Sequence, residues 1–295
     1  MAGEERAAAP TKGRSGSGHL DLLKRAFKEF NENNLTSVAA ALAYYAFLAV
    51  PSVLMVAVGI FGLVANPSGA ASLVDRLSGV MPDQAQQLLK DSLARLTQDK
   101  GTGVTILLVG LLLALWSLTG AMQNVMWGLN IAYERDETRG FVRKRLTALS
   151  MIGFAGGAVL LVFALLVLGP HMIRWIGDAL GHESTVRWVW WTAQWPILLI
   201  GLLIAFAGIL YLGPNVDQRR WSFLSFGALL AIVLFLVLSG VFAFYASRFG
   251  SYNKTWGSLS AVIVMLTWLW LASVALLFGA QVNAVSERGK ATANA

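Results

Sequence analysis

Cysteine is absent from the 295 residues, which excludes a disulfide framework and a thiolate metal site. Histidine occurs only at positions His19, His171 and His182. No two stand at H-x-x-x-H or H-x-H spacing, so a zinc site built on histidines is not expected. Charged residues make up 13% of the chain, against about 25% in soluble proteins. Their distribution is more informative than their number. Six apolar runs, 38–64, 104–126, 146–169, 191–212, 222–246 and 259–284, contain no Asp, Glu, Lys or Arg. Each reaches the ~20 residues that a helix rising ~1.5 Å per residue needs to cross ~30 Å of hydrocarbon. An ionised side chain at mid-bilayer costs ~2.5 kcal/mol or more, so this pattern suits lipid as the solvent. The expected fold class is an all-α membrane protein with six transmembrane helices.

What lies between the runs orients them. Residues 1–18 lack the apolar core of a cleavable signal and are expected to form a disordered cytoplasmic tail. Over 19–34, Leu20, Leu23, Phe27 and Phe30 recur at helical spacing beside Lys24, Arg25, Lys28 and Glu29. The segment 19–37 therefore reads as an interfacial amphipathic helix, or equally as a helix packed on the bundle, ahead of the six-helix domain at 38–284. With both termini cytoplasmic, the inner segments 1–37, 127–145, 213–221 and 285–295 hold 15 Lys and Arg against 8 in the outer segments. The positive-inside rule favours that orientation. It also accounts for the net charge of +7 better than nucleic-acid binding does, and no nucleic-acid partner is expected.

In the outer loop 66–103, Leu73, Val74, Leu77 and Met81, and then Ala85, Leu88, Leu89, Leu93 and Leu96, form short apolar faces. Two short amphipathic helices are expected there. Pro51, in the middle of the first run, removes a backbone donor and is expected to kink or break its helix. Most tryptophans fall at run ends, where an amphipathic ring prefers the interface. Trp116, Trp268 and Trp270 fall inside runs and are candidates for packing between helices. Gly153 and Gly157 are spaced for close helix contact.

Chemistry-bearing motifs are few. No phosphate-binding loop is present, and 99–103 (DKGTG) reads as a polar turn. Asp136 and Glu137 sit in a basic loop, where local ion pairing is the simple explanation. The polar groups within the runs are neutral: Tyr44, Tyr45, Ser117, Thr119, Gln123, Asn124, Gln194, Thr267, Gln281 and Asn283. Tyr44 is expected to share the crowded region of the Pro51 kink. Gln123 and Asn124 with Gln281 and Asn283 are candidates for a polar cluster at the inner mouth, although interhelical hydrogen bonds are the more ordinary role. A carrier coupled to protons or sodium usually needs a titratable group at depth. The runs hold none, which disfavours such a pump but not a path for lipid. No catalytic, metal or cofactor residue is assigned.

Several separated segments resemble one family. They are 39–51 (AAALAYYAFLAVP), Trp116-Ser117, 130–133 (NIAY), 137–139 (ETR) with Phe141, Tyr211-Leu212 with Pro214-Asn215, 252–259 (YNKTWGSL) and 279–284 (GAQVNA). Together they are similar to the YihY/virulence-factor BrkB family of bacterial membrane proteins. The resemblance implies six helices, a bacterial cytoplasmic (inner) membrane and a link to envelope integrity. Members were once labelled ribonuclease BN, a tRNA-processing enzyme. No acid–base or metal-ligand set in the loops supports phosphodiester cleavage here, so a non-enzyme is expected. The family commonly carries a glutamate where this chain has Gln281, which keeps a hydrogen-bonding role and removes proton transfer.

The favoured reading is non-enzymatic handling or transport of lipid or another envelope component. In it Arg139, Arg143, Lys144 and Arg145 hold anionic phospholipid headgroups at the cytoplasmic face, at about 1 kcal/mol per cation. The alternative is a scaffold recruiting a periplasmic or envelope protein through loop 66–103, and a membrane-attached ribonuclease ranks below both. A homo-oligomer is compatible with either leading reading. The candidate functional residues are those four cations with Tyr44, Tyr45, Pro51, Trp116, Asn124, Asn215, Tyr252, Asn253, Gln281 and Asn283.

Overall fold

The computed structural model describes residues 15–64, 100–180, 183–216, 225–248 and 258–293. All regular structure among them is helical: α1 (Ser15–Glu32), α2 (Leu35–Val64), α3 (Lys100–Ala132), α4 (Phe141–Leu180), α5 (Glu183–Leu212), α6 (Phe226–Arg248) and α7 (Ser258–Ala293). Several helices run past the apolar stretches: α3 begins at Lys100 and ends at Ala132, α4 continues through Pro170 to Leu180, and α7 extends to Ala293. Among the described residues, four segments are long and apolar enough to cross a membrane: Phe141–Val162, Ser184–Leu212, Phe226–Ser247 and Leu259–Gly289. A fifth is counted if Gly18–Glu32 and Leu35–Pro51, bent by 69° to one another, form one span.

That bend lies at Asn33-Asn34. Asn34 takes a left-handed backbone (φ 51°), which Asn tolerates better than most residues. Its amide donates to Asn31 O, so α1 closes in a turn before α2 starts. Pro51, where a break was one expected outcome, leaves α2 helical to Val64.

α4 lies along α5, α6 along α7, and α2 along both α3 and α7, while α1 rests against α7 and the start of α2. The main core gathers at one end of the bundle, where α2, α4 and α6 begin and α3, α5 and α7 end. Leu35, Val38, Leu42, Met126, Leu129, Met151, Leu210 and Leu277 fill it. We call this end the base. Away from it, Leu112, Leu160, Trp191, Val241 and Phe244 are all more than 60% exposed, as side chains that face lipid would be.

The tightest helix contacts are not at the expected glycines. A Cβ on Gly153 or Gly157 would meet nothing within 4 Å, whereas one on Gly208 would come within 2.5 Å of the Phe154 ring. α4 therefore supplies the large side chain and α5 the gap. Between α6 and α7 the backbones themselves approach: a Cβ on Gly227 would reach Gly279 O at 2.2 Å, and one on Gly279 would reach Gly227 O at 2.5 Å.

Candidate functional site

Three polar assemblies surround the base. The first joins the α3–α4 connection to the end of α5. α3 closes in a Schellman-type turn: Glu134 is left-handed (φ 52°), its amide donates to Ile131 O, and the Arg135 amide donates to Asn130 O. The chain then folds back so that Arg139, 8% exposed, reaches Glu137 through Nε and Nη2, each at 2.7 Å. Its Nη1 donates to Leu212 O at 3.1 Å and Nη2 to Gly213 O at 2.7 Å. These carbonyls end α5 and have no partner inside the helix, so Arg139 caps α5 from another element and lies at its negative dipole end. Asn130 Nδ2 donates to Glu137 Oε2 at 3.0 Å, and Asn130 Oδ1 accepts the Asn215 amide at 2.7 Å. Asn215 Nδ2 donates in turn to Asp136 O and Thr138 Oγ1, both at 2.8 Å.

Partial burial pushes the Glu137 carboxyl up, but the hydrogen bonds and charge of Arg139 together with Asn130 outweigh it and hold the group below its ordinary value. The local pairing expected for Glu137 is present. The guanidinium of Arg139, expected to meet lipid headgroups, instead has its donors directed at Glu137 and the end of α5. A cation this far inside is stable only because a carboxylate and two carbonyls replace its water.

The second assembly pins α1. Gln281, fully buried on α7, donates from Nε2 to Glu29 Oε2 at 2.7 Å. Arg288 also pairs with Glu29, and its Nη1 lies 2.7 Å from Glu134 Oε1. Hydrogen bonding from Arg288 holds the Glu134 carboxyl down against slight burial, helped by the Arg288 charge and Asn33. Asn283 does different work. Its Oδ1 accepts the Gly227 amide at 2.9 Å and its Nδ2 donates to Ser225 Oγ at 3.1 Å, while Ser225 Oγ accepts the Ala228 amide at 3.1 Å. Together they cap the start of α6. Burial, and then the Glu287 carboxylate, push the Tyr133 hydroxyl up against its hydrogen bond with Asn283.

The third assembly lies at the start of α4. Arg145 stacks over the Trp116 ring at 4.2 Å and lies 5.5 Å from the Phe141 ring. Its Nη1 donates to Thr119 Oγ1. With the Gln123 amide turned so that its oxygen faces the guanidinium, that oxygen accepts from Arg145 Nη1 and Nε at 3.3 Å each. Trp116, Thr119 and Gln123 share one face of α3 at helical spacing, and Phe141 stands one turn before Arg145 on α4. Arg143 is exposed and Lys144 half-exposed.

The remaining candidates do not join these assemblies. Tyr44 and Tyr45 are 54% and 41% exposed and pack edge to face on each other, so Tyr44 is not in a crowded region. Asn124 turns back to Gly120 O on its own helix at 3.0 Å. The polar cluster expected at the inner mouth thus splits: Gln123 meets α4, Asn124 its own helix, Gln281 α1 and Asn283 α6. Trp116 is 66% exposed rather than packed between helices. Trp268 and Trp270 do bridge helices, to Ser239 Oγ at 3.2 Å and Thr36 O at 3.3 Å. Tyr252, Asn253 and the apolar faces of loop 66–103 lie outside the described residues. The partners Glu29, Glu134 and Arg288 escaped the sequence reading, which offers no signal for a pair 259 positions apart.

Comparison with known proteins gives the assemblies a context. The family model described as Virulence factor BrkB matches residues 26–295. A putative ribonuclease-like protein, YfkH, of Bacillus subtilis (strain 168) is 26% identical over 271 residues, 92% of this chain and 97% of the relative. The UPF0761 membrane protein azo3165 of Azoarcus sp. (strain BH72) is 28% identical over 280 residues, covering 90% of this chain but only 63% of that longer protein. The UPF0761 membrane protein MS0032 of Mannheimia succiniciproducens is 25% identical over 261 residues, 87% of this chain and 86% of the relative. No solved structure matches.

Proposed function

This chain belongs to the virulence factor BrkB family, and we propose that it is a non-enzymatic protein of the bacterial cytoplasmic membrane that handles or moves lipid or another envelope component. In this reading α2 to α7 make six crossings with both termini cytoplasmic. The base then faces the cytoplasm, in keeping with the basic residues at 135–145 and along α1. α1, bent by 69° from α2, lies along the inner surface with Leu20 and Phe27 exposed at 61% and 60%.

One observation supports a lipid-like cargo over an ion. Among the described residues, the charges of the membrane-crossing segments lie at their ends, the apolar runs 38–64, 104–126, 146–169, 191–212, 222–246 and 259–284 carry none, and several of their hydroxyls and amides turn back on their own helix. Asn124 donates to Gly120 O, Ser150 to Leu146 O, Thr192 to Trp188 O and Thr267 to Ile263 O. Helix surfaces sealed in this way present CH groups, which suits acyl chains and offers an ion few ligands. The test is leaflet exchange of a fluorescent phospholipid in vesicles holding the purified protein. Exchange above that of heat-denatured protein and of an unrelated six-helix protein is expected. Exchange equal to both would remove the reading.

A further inference from the structure

We propose that the face where α3 meets the first turns of α4 binds the phosphate of an anionic phospholipid, with Arg145 as its fixed ligand and Arg143 and Lys144 as its charge. The inference rests on the membrane reading above and names a ligand for it. Arg145 is held on three sides: by the Trp116 ring at 4.2 Å, by Thr119 Oγ1 and by the turned Gln123 amide at 3.3 Å. Those contacts use Nη1 and Nε, and Nη2 has no partner among the described residues. The guanidinium is therefore oriented in advance with one donor edge left to offer. That arrangement suits a phosphate, which Arg meets through paired N–H donors.

Charge points the same way. Arg139 is balanced by Glu137 at 2.7 Å and Arg288 by Glu29 and Glu134. Arg143, Lys144 and Arg145 have no acid partner among the described residues. Three consecutive cations left unbalanced beside a membrane favour an anion. The surroundings decide which source of phosphate fits: Phe141 is 71% exposed, Val142 69% and Trp116 66%. A soluble phosphate would leave those side chains in water. A diacyl phosphodiester such as phosphatidylglycerol covers them with its chains while its headgroup meets the cations.

The experiment titrates the delipidated full-length protein in detergent with phosphatidylglycerol and, separately, phosphatidylcholine, counting bound lipid by native mass spectrometry. Wild type should retain phosphatidylglycerol at lower lipid concentration. Removing charge as R143Q/K144Q should weaken that retention about fivefold per cation, without touching any packed side chain. R145K, which keeps the charge but loses the planar fork, and W116A should weaken it severalfold while phosphatidylcholine binding stays unchanged. A K24Q/R25Q/K28Q variant, which removes three exposed cations from α1, should behave as wild type, and millimolar glycerol 3-phosphate should not displace the lipid. The proposal is overturned if R143Q/K144Q and R145K both bind as wild type, or if the α1 variant loses as much, which would make net charge the cause. Displacement by glycerol 3-phosphate also overturns it, in favour of a soluble phosphate. If the variants lose the preference but vesicle leaflet exchange persists, the site stands and its coupling to lipid movement fails. If the preference is absent and exchange persists, only the site fails.

Discussion

Arg139 shows how little a charge count says about the role of one side chain. Four cations between positions 139 and 145 look alike in sequence, yet one closes a buried hydrogen-bond network with a carboxylate and the other three have no acid partner among the described residues. The difference lies in Glu137 and in the two carbonyls that end α5, which only the folded chain brings together. Replacing Arg139 by Gln strands a carboxylate and two carbonyls, and should cost about 3 kcal/mol, read as a lower melting temperature in detergent. The pH dependence has a definite sign. The folded Glu137 carboxyl titrates below its ordinary value of 4.5, so its contribution is complete above that value and fades as pH falls through the lower folded value. Acidification below about pH 4.5, and not alkalinisation, should therefore narrow the gap between wild type and E137Q in chemical unfolding. Gln281 carries a related expectation. Its Nε2 faces Glu29 Oε2 at 2.7 Å in a fully buried position, so Q281E would set two carboxylates against each other. That variant should loosen α1 at neutral pH and recover on acidification as one group takes a proton, which hydrogen exchange over 15–32 would register.

At the scale of the elements, the helices were legible because each apolar run is long and free of charge. Their mutual packing was not. A glycine pair at i, i+4 shows that close approach is allowed, not that a partner takes it, and Gly153 and Gly157 have nothing within reach of a Cβ. Gly227 and Gly279, on different helices, have no sequence spacing to announce them. G279A should wedge α6 from α7 and destabilise by about 1–3 kcal/mol. G157A, adding a methyl in open space to a helix interior, should be neutral or stabilising by up to about 1 kcal/mol. Thermal unfolding of the two variants side by side checks both. α1 shows the same limit on a smaller scale. Its four large apolar residues read as one face, but the structure turns Phe30 inward and leaves Leu20 and Phe27 outward. A helix resting against one side of the bundle buries only part of a wide stripe.

For the whole molecule, the absence of cysteine is an experimental asset, since a single introduced thiol reports without background. R135C should react with a membrane-impermeant maleimide only from the cytoplasmic side, and S184C only from the other, if the base faces inward. The opposite pattern would reverse the proposed topology. That a lipid is the cargo is the central claim, and it rests on helix surfaces that hide their polar groups beside an aromatic and cationic edge. The most direct measurement is leaflet exchange of fluorescent phospholipid in vesicles prepared over a range of protein-to-lipid ratios. If single copies move lipid, the rapidly exchanging fraction should rise with the share of vesicles holding at least one protein and level off once all are occupied. A fraction that stays flat across the range, at the level of heat-denatured protein, would contradict the account.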